Sequence, residues 1–341
     1  MPSKRNSVGY KRMNSNRNIQ RVFCAGLVRI AILILVGSVF KACAADVVWL
    51  DWISFCSSNE NAIVTVDNLD RKSPEDIKGI EISDASLEKC AAWGHSLSNV
   101  VDLRITSERS DPVPIVVIAA TNFTKLRYLH LDIRNAHHIS SSICLLTNLP
   151  YLGYLGLDAP NATNVSGAVF ELSHLKELMV RLWNAPLPQG ISRLGELRRM
   201  EVYGDRKTQA PALPQDFDKS PLEFLEVMNV SGVDEWLPRL PNDLVELDLP
   251  GCRLRSLPRA WIVHQKLQTL NLNNNRIGKF PPETLQIPNL RVLNLSLNDI
   301  TNVPPIKLPQ GKMMKIYLWG NPIRYVAPEN KVLIELGNIE L

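Results

Sequence analysis

The chain has 341 residues, a formal net charge of +4 and 45% apolar side chains, which is enough apolar matter for a large core and unlike a disordered or collagenous chain. The charge is unevenly placed: residues 1–45 hold eight Lys or Arg and no acid, leaving 30 basic against 34 acidic side chains elsewhere. A mildly acidic body gives no support for a nucleic-acid partner.

In chain order, Lys4, Arg5, Lys11, Arg12, Arg17 and Arg21 precede an unbroken apolar run, Ile30 to Phe40, and then Ala42-Cys43-Ala44. Basic, apolar, then small-x-small is the order of a secretory signal peptide cleaved after Ala44 or Ala45. Val22 to Val39 is interrupted only by Arg29 and approaches the length of a membrane span, so an uncleaved signal anchor is the alternative. Residues 1–44 are therefore read as signal peptide or N-terminal anchor. Residues 45–76 contain VVWLDW and AIVTVDNL outside any repeat, and are read as an N-terminal cap over an edge that would otherwise be open.

From residue 77 to residue 323 one spacing recurs. Leu267, Leu270, Leu272, Asn275 and Ile277 return 23 residues later as Leu290, Leu293, Leu295, Asn298 and Ile300. The same spacing opens at Ile77, Val100, Leu126, Leu152, Leu175, Leu197, Leu222, Leu244 and Met313, giving eleven repeats with steps of 22 to 26 residues. Leu-x-Leu marks a short strand with alternate side chains on one face, and so small a unit buries that face only by stacking on copies of itself. The Asn three residues past the last strand Leu suits a turn whose buried backbone needs side-chain partners. In the repeats from Leu126, Leu152 and Leu175, Asn135, Asn161 and Asn184 come one residue later, which puts a continuous Asn ladder in doubt there.

The spacing LxxLxLxxNx(I/L) resembles the leucine-rich repeat family. The resemblance implies an α/β solenoid, a horseshoe with a parallel β-sheet on its concave face and an irregular or short-helical convex face. The final repeat, MMKIYLWGNPI, places Met313, Ile316, Leu318, Asn321 and Ile323 at the repeat positions. Residues 324–341 follow as a C-terminal cap, with a helix starting at Pro328-Glu329 and Val332, Leu333 and Leu336 placed to cover the last coil.

No catalytic signature occurs, and His95, His130, His137, His138, His174 and His264 lack metal-ligand spacing, so neither an enzyme, a metal nor a cofactor is expected. Cys90, Cys144 and Cys252 fall among apolar positions and are read as buried thiols. A Cys56–Cys90 disulfide would pin the cap to the first coil in an oxidising compartment. Sequons at Asn122, Asn161, Asn164, Asn229 and Asn294 permit glycosylation in a eukaryotic secretory pathway.

Function in such a frame falls to the residues between the strand leucines. Tyr128, His130, Tyr154, Met179, Arg181, Arg199, Tyr203, Phe224 and Met228 cluster there, and binding hot spots favour Tyr, Trp and Arg. The repeats from Leu267 and Leu290 present Gln268, Asn271, Asn273, Asn294 and Ser296 instead, a polar scaffold. The reading is a secreted or surface-tethered binder of a protein or peptide on the concave face, touching a membrane only through an uncleaved N-terminus. The alternative is an intracellular or membrane-anchored scaffold.

Overall fold

The computed structural model describes residues 63–65, 77–84 and 97–341, except 112, 114–115, 118, 120–122, 183–184, 206, 258–263 and 310. The signal or anchor segment, the Cys56–Cys90 pair, the sequon at Asn122 and Asn184 lie outside the described residues.

In chain order the strands are β1 (Ile63–Thr65), β2 (Gly79–Ser83), β3 (Asp102–Thr106), β4 (Tyr128–Asp132), β5 (His138–Ile139), β6 (Tyr154–Asp158), β7 (Asn164–Val165), β8 (Glu177–Arg181) and β9 (Arg199–Tyr203). They continue as β10 (Phe224–Met228), β11 (Glu246–Asp248), β12 (Thr269–Asn271), β13 (Val292–Asn294), β14 (Asn302–Val303), β15 (Lys315–Tyr317), β16 (Tyr325–Val326) and β17 (Ile339–Glu340). Thirteen of them form one sheet in the order β1-β2-β3-β4-β6-β8-β9-β10-β11-β12-β13-β15-β17. Its pairings are parallel, with Leu247, Leu270, Leu293 and Ile316 in line across four coils. Every one of the eleven repeats supplies a strand. β5 with β7 and β14 with β16 make two small parallel pairs in the outer turns.

The repeat leucines build the core by stacking. Leu267, Leu270, Leu272, Leu290, Leu293 and Leu295 are all fully buried, each contributing about 1.5–3 kcal/mol by leaving water. Outer turns at Ser141–Asn148, Gly167–Glu171, Ile191–Arg193, Phe217–Lys219 and Pro282–Gln286 are 3-10 helices, whose threefold period sends Ile143 and Leu146 inward. Among the described residues no helix is long and apolar enough to cross a membrane.

The sheet changes character part-way along. Strands β2, β3, β4, β6, β8, β9 and β10 have five residues, whereas β11, β12, β13 and β15 have three. Two residues past the last strand leucine or its equivalent, Asn229, Gly251, Asn274, Leu297 and Gly320 all take positive φ, between 55° and 72°. A left-handed residue turns the chain out of the strand. Behind it stands the Asn ladder: Asn298 accepts from Ile277 N at 2.9 Å and donates to the carbonyls of Leu272, Leu295 and Ser296 at 2.9, 3.0 and 3.2 Å. Asn275 and Asn321 repeat the pattern one coil before and after.

In the wider N-terminal coils the same place is apolar and takes no positive φ. Ile133 and Ala159 are buried, and their N–H groups donate to Asp158 O and Arg181 O at 2.9 and 3.1 Å, so pairing runs on. Asn135 and Asn161 are exposed there, bonding Glu108 O and Arg134 O of the preceding coil at 3.0 and 2.8 Å.

Three expectations need correcting. Met313 is 79% exposed and Met314 takes the buried place, because the turn closed by Lys312 N to Pro309 O, with Gly311 at φ 77°, brings the chain in one residue late. Val332 and Leu336 are 61% and 71% exposed. The α-helix at Lys331–Glu335 is too short to lay both on the coil; Leu333 and Ile334 pack instead, and Ile339 in β17 extends the sheet over β15. Cys144 is exposed, since the 3-10 turn that sends Ile143 and Leu146 inward points it to solvent.

Candidate functional site

The concave face is built from alternate residues of the long strands. Cross-strand pairing lines them up in columns: Tyr128, Tyr154, Glu177, Arg199, Phe224 and Glu246 in one, His130, Gly156, Met179, Glu201, Glu226 and Asp248 in the next. Asp132, Asp158 and Arg181 begin a third.

Aromatic and charged groups interlock along these columns. The Tyr128 and Tyr154 rings lie 6.2 Å apart, tilted by 46°. The Arg199 guanidinium sits 3.2 Å from the centroid of Phe224, a cation–π contact, while its Nε donates to Glu201 Oε1 at 2.7 Å. Tyr203 donates its hydroxyl to the other Glu201 oxygen at 2.8 Å. Arg181 pairs with Asp158 at 2.6 Å, and Arg134 grips Asp132 with two bonds of 2.9 and 2.8 Å.

Burial sets the protonation states. His130 is pushed down to about 4 by burial and then by the Arg104 charge; Asp132 pulls the other way, and Arg181 adds a smaller push down, so the imidazole is neutral at physiological pH. The Tyr154 and Tyr203 phenols are raised, first by burial and then by Glu201 and other carboxylates, so both stay protonated donors. Burial opposes the charge of Arg199, but Glu201, Glu177 and Glu246 raise its pKa above the ordinary Arg value.

The repeat geometry has its counterpart in sequence comparison. A leucine-rich repeat family model matches residues 242–300 and 265–323, the coils that carry the Asn ladder. The fold is a leucine-rich repeat solenoid.

Solved structures of such proteins resemble this one in fold. A leucine-rich repeat protein of Leptospira interrogans is 21% identical over 72% of this chain and 68% of its own, with a TM-score of 0.40. An internalin of Listeria monocytogenes is 17% identical over 77% and 71%, with a TM-score of 0.42. The Drosophila Toll–Spatzle complex gives 16% identity over 81% of this chain and 40% of that one, with a TM-score of 0.50. A search of curated proteins finds no match.

Of the nine residues nominated from sequence, this leucine-rich repeat solenoid keeps eight half-buried on the concave face and buries Met179, which is 8% exposed and offers a partner little area. Among the sequons, Asn161 and Asn164 are exposed, although Asn161 spends its side-chain amide on Arg134 O. Asn229 has φ 58° at the turn out of β10, and Asn294 lies on the concave face with its carbonyl accepting from Ser296 N at 3.0 Å. Cys252, in the Asn column, is buried and donates from Sγ to Val227 O at 3.0 Å; burial pushes its thiol up to about 12. Alternation along the strands also puts the carboxylates Glu177, Glu201 and Glu226 on this face, and the choice of aromatic and basic residues left them out, together with Glu246 and Asp248.

Proposed function

We propose that this protein is a non-enzymatic binding module that recognises a protein or peptide on its concave sheet, carried outside the cell or tethered at a membrane by its N-terminal segment. One observation carries the binding reading: Tyr128, Tyr154, Arg199, Phe224 and Tyr203 are half-buried neighbours on a single sheet face, rigidly held from below by fully buried leucines. Rigid amphipathic rings at low entropic cost make strong contacts. The Drosophila Toll structure, similar in fold, is itself a complex with Spatzle, which favours a protein as partner.

Affinity capture from the native fluid or membrane fraction, followed by titration, tests the reading. Tyr154→Ala and Phe224→Ala should each weaken the captured partner by about 1–3 kcal/mol with melting little changed, while Gln268→Ala and Asn273→Ala should matter less. Aromatic variants that melt early yet bind normally would show rings that serve only sheet packing. N-terminal sequencing separates the two locations: a mature chain beginning near Ala45 means secretion, and an intact Arg29 and Lys41 in membranes means an anchored scaffold.

A further inference from the structure

The end of the concave face that the central cluster leaves unused is neutral and polar. On β12, β13 and the residues just past them, the three columns hold Thr269 and Val292, Asn271 and Asn294, then Asn273 and Ser296, with no charge among them. The next coil sets Tyr317 beside Asn294 by strand pairing, and Trp319 beside Ser296, where Leu297 N donates to Trp319 O at 2.9 Å. Trp319 is 45% exposed and Tyr317 half-buried. Hydrogen bonding here is left open in both senses. Asn271 and Asn294 each accept with Oδ1 from the backbone N–H two residues on, at 3.2 and 3.0 Å. A backbone N–H only donates, so neither amide can reverse, and both Nδ2 groups stand as donors with no partner among the described residues. Asn273 Oδ1 and the Ser296 hydroxyl are closed to water yet make no hydrogen bond, and Ser296 is fully buried. Buried polar atoms are normally satisfied, and these two are not.

We infer that this end of the sheet is a carbohydrate site, which takes a neutral oligosaccharide with one sugar ring flat on Trp319. A sugar presents an apolar C–H face that an indole can cover, and at its rim hydroxyls that donate and accept at once. Those hydroxyls match amide donors, an amide acceptor and a buried hydroxyl, whereas an apolar ligand would leave all of them unpaired. The uncharged columns of β12 and β13 offer an acidic sugar no cation, which favours a neutral one. Asn273 and Trp319 flank Ser296 along its column, and they are the side chains that turn to admit a ligand hydroxyl to Oγ. The site is apart from Tyr154 and Phe224, so it stands whether or not those rings bind a protein. Asn294 belongs to a sequon, and the inference requires its amide to be unmodified.

The test is calorimetric titration of the full chain, made in a host that adds no N-glycans, with maltotetraose, chitotetraose and mannotetraose. At least one should bind with a Kd of about 1 mM or tighter. Trp319→Ala should weaken that sugar at least about tenfold, and Trp319→Phe by less. Ser296→Ala should weaken it by about threefold to tenfold with melting unchanged or raised, because the change deletes an unsatisfied buried hydroxyl. Tyr154→Ala should leave sugar affinity as it was. No binding of any of the three up to about 10 mM would overturn the inference, as would a sugar affinity that Trp319→Ala leaves intact. Early melting of Ser296→Ala with full sugar affinity would assign the hydroxyl to the fold and overturn its role in the site. A glycan found on Asn294 of the native protein would overturn the site too, since it would occupy the same face. Loss of the captured protein partner in Trp319→Ala, with no sugar bound, would make this end part of the protein-binding face instead.

Discussion

His130 and Gly156 are in direct contact across β4 and β6: a Cβ placed on Gly156 would collide with Nδ1 of the imidazole and crowd the Tyr154 hydroxyl. Gly156 has no positive φ, so its lack of a side chain serves this close approach and not an unusual backbone. Gly156→Ala should drive the ring outward into solvent, costing about 1–3 kcal/mol and moving the His130 titration back up toward 6.5. NMR titration of the imidazole with a melting curve checks both.

The depressed His130 also gives the fold an acid sensitivity. In the unfolded chain it takes up its proton near 6.5, in the folded protein near 4, so as pH falls from 6.5 to 4 the unfolded state binds more protons and stability declines. The half-exposed ring limits the loss to about 2 kcal/mol. His130→Phe should flatten this window in denaturant titrations, and that variant also supplies the baseline, because Asp102 and Asp158, raised chiefly by burial, act in the opposite sense at lower pH.

Leu297 pays for a conformation that its counterparts in neighbouring coils assign to Asn or Gly. Its φ is 55° and its side chain is 43% exposed. Leu297→Asn should raise stability by about 0.5–1 kcal/mol, less whatever the side chain gains by lying over Gly320. Gly320→Ala should do the reverse, since an added methyl meets both φ 72° and Leu297.

The Asn ladder predicts a contrast between two substitutions of the same type. Asn298→Ala strands Ile277 N inside the core, while the Leu272 and Leu295 carbonyls keep their bonds from Asn275 and Asn321, and should cost about 1–3 kcal/mol, whereas Asn161→Ala on the exterior should cost under about 1 kcal/mol. Cys252→Asn, although it restores the repeat motif, should destabilise. The N–H that an Asn oxygen would need lies one coil earlier at Ser231, which already donates to Thr208 O at 2.9 Å.

Leu270 and Leu293 are fully buried and face each other in adjacent strands. Either one changed to Asp buries a carboxylate without partners, at a cost of several kcal/mol. A melting temperature equal to that of the unaltered protein would contradict the stacking.

Much of this was legible beforehand because Leu-x-Leu at a fixed interval admits one economical solution, coils stacked through their leucines. Less legible was anything that depends on a turn. Met313 and Met314 are chemically alike, and only the Pro309–Lys312 turn decides which is buried. Cys144 reads as apolar in sequence, yet a threefold turn sends Ile143 and Leu146 inward and leaves Cys144 outside. At the site, alternation correctly put Tyr154, Arg199 and Phe224 on the concave face, but the contact of the Tyr128 and Tyr154 rings, the burial of Met179 and the seat of Arg199 on Phe224 arise between strands about 25 residues apart. No local pattern encodes such contacts.

The step from five-residue to three-residue strands at β11 joins two kinds of coil within one array. Before it, long ladders and apolar turns hold each coil broadly to the next; after it, a short ladder is backed by a buried amide spine. In an array whose units touch only their neighbours, such a junction divides coils whose backbone groups are satisfied in two different ways, so that a loss of the amide spine on one side leaves the long ladders on the other intact.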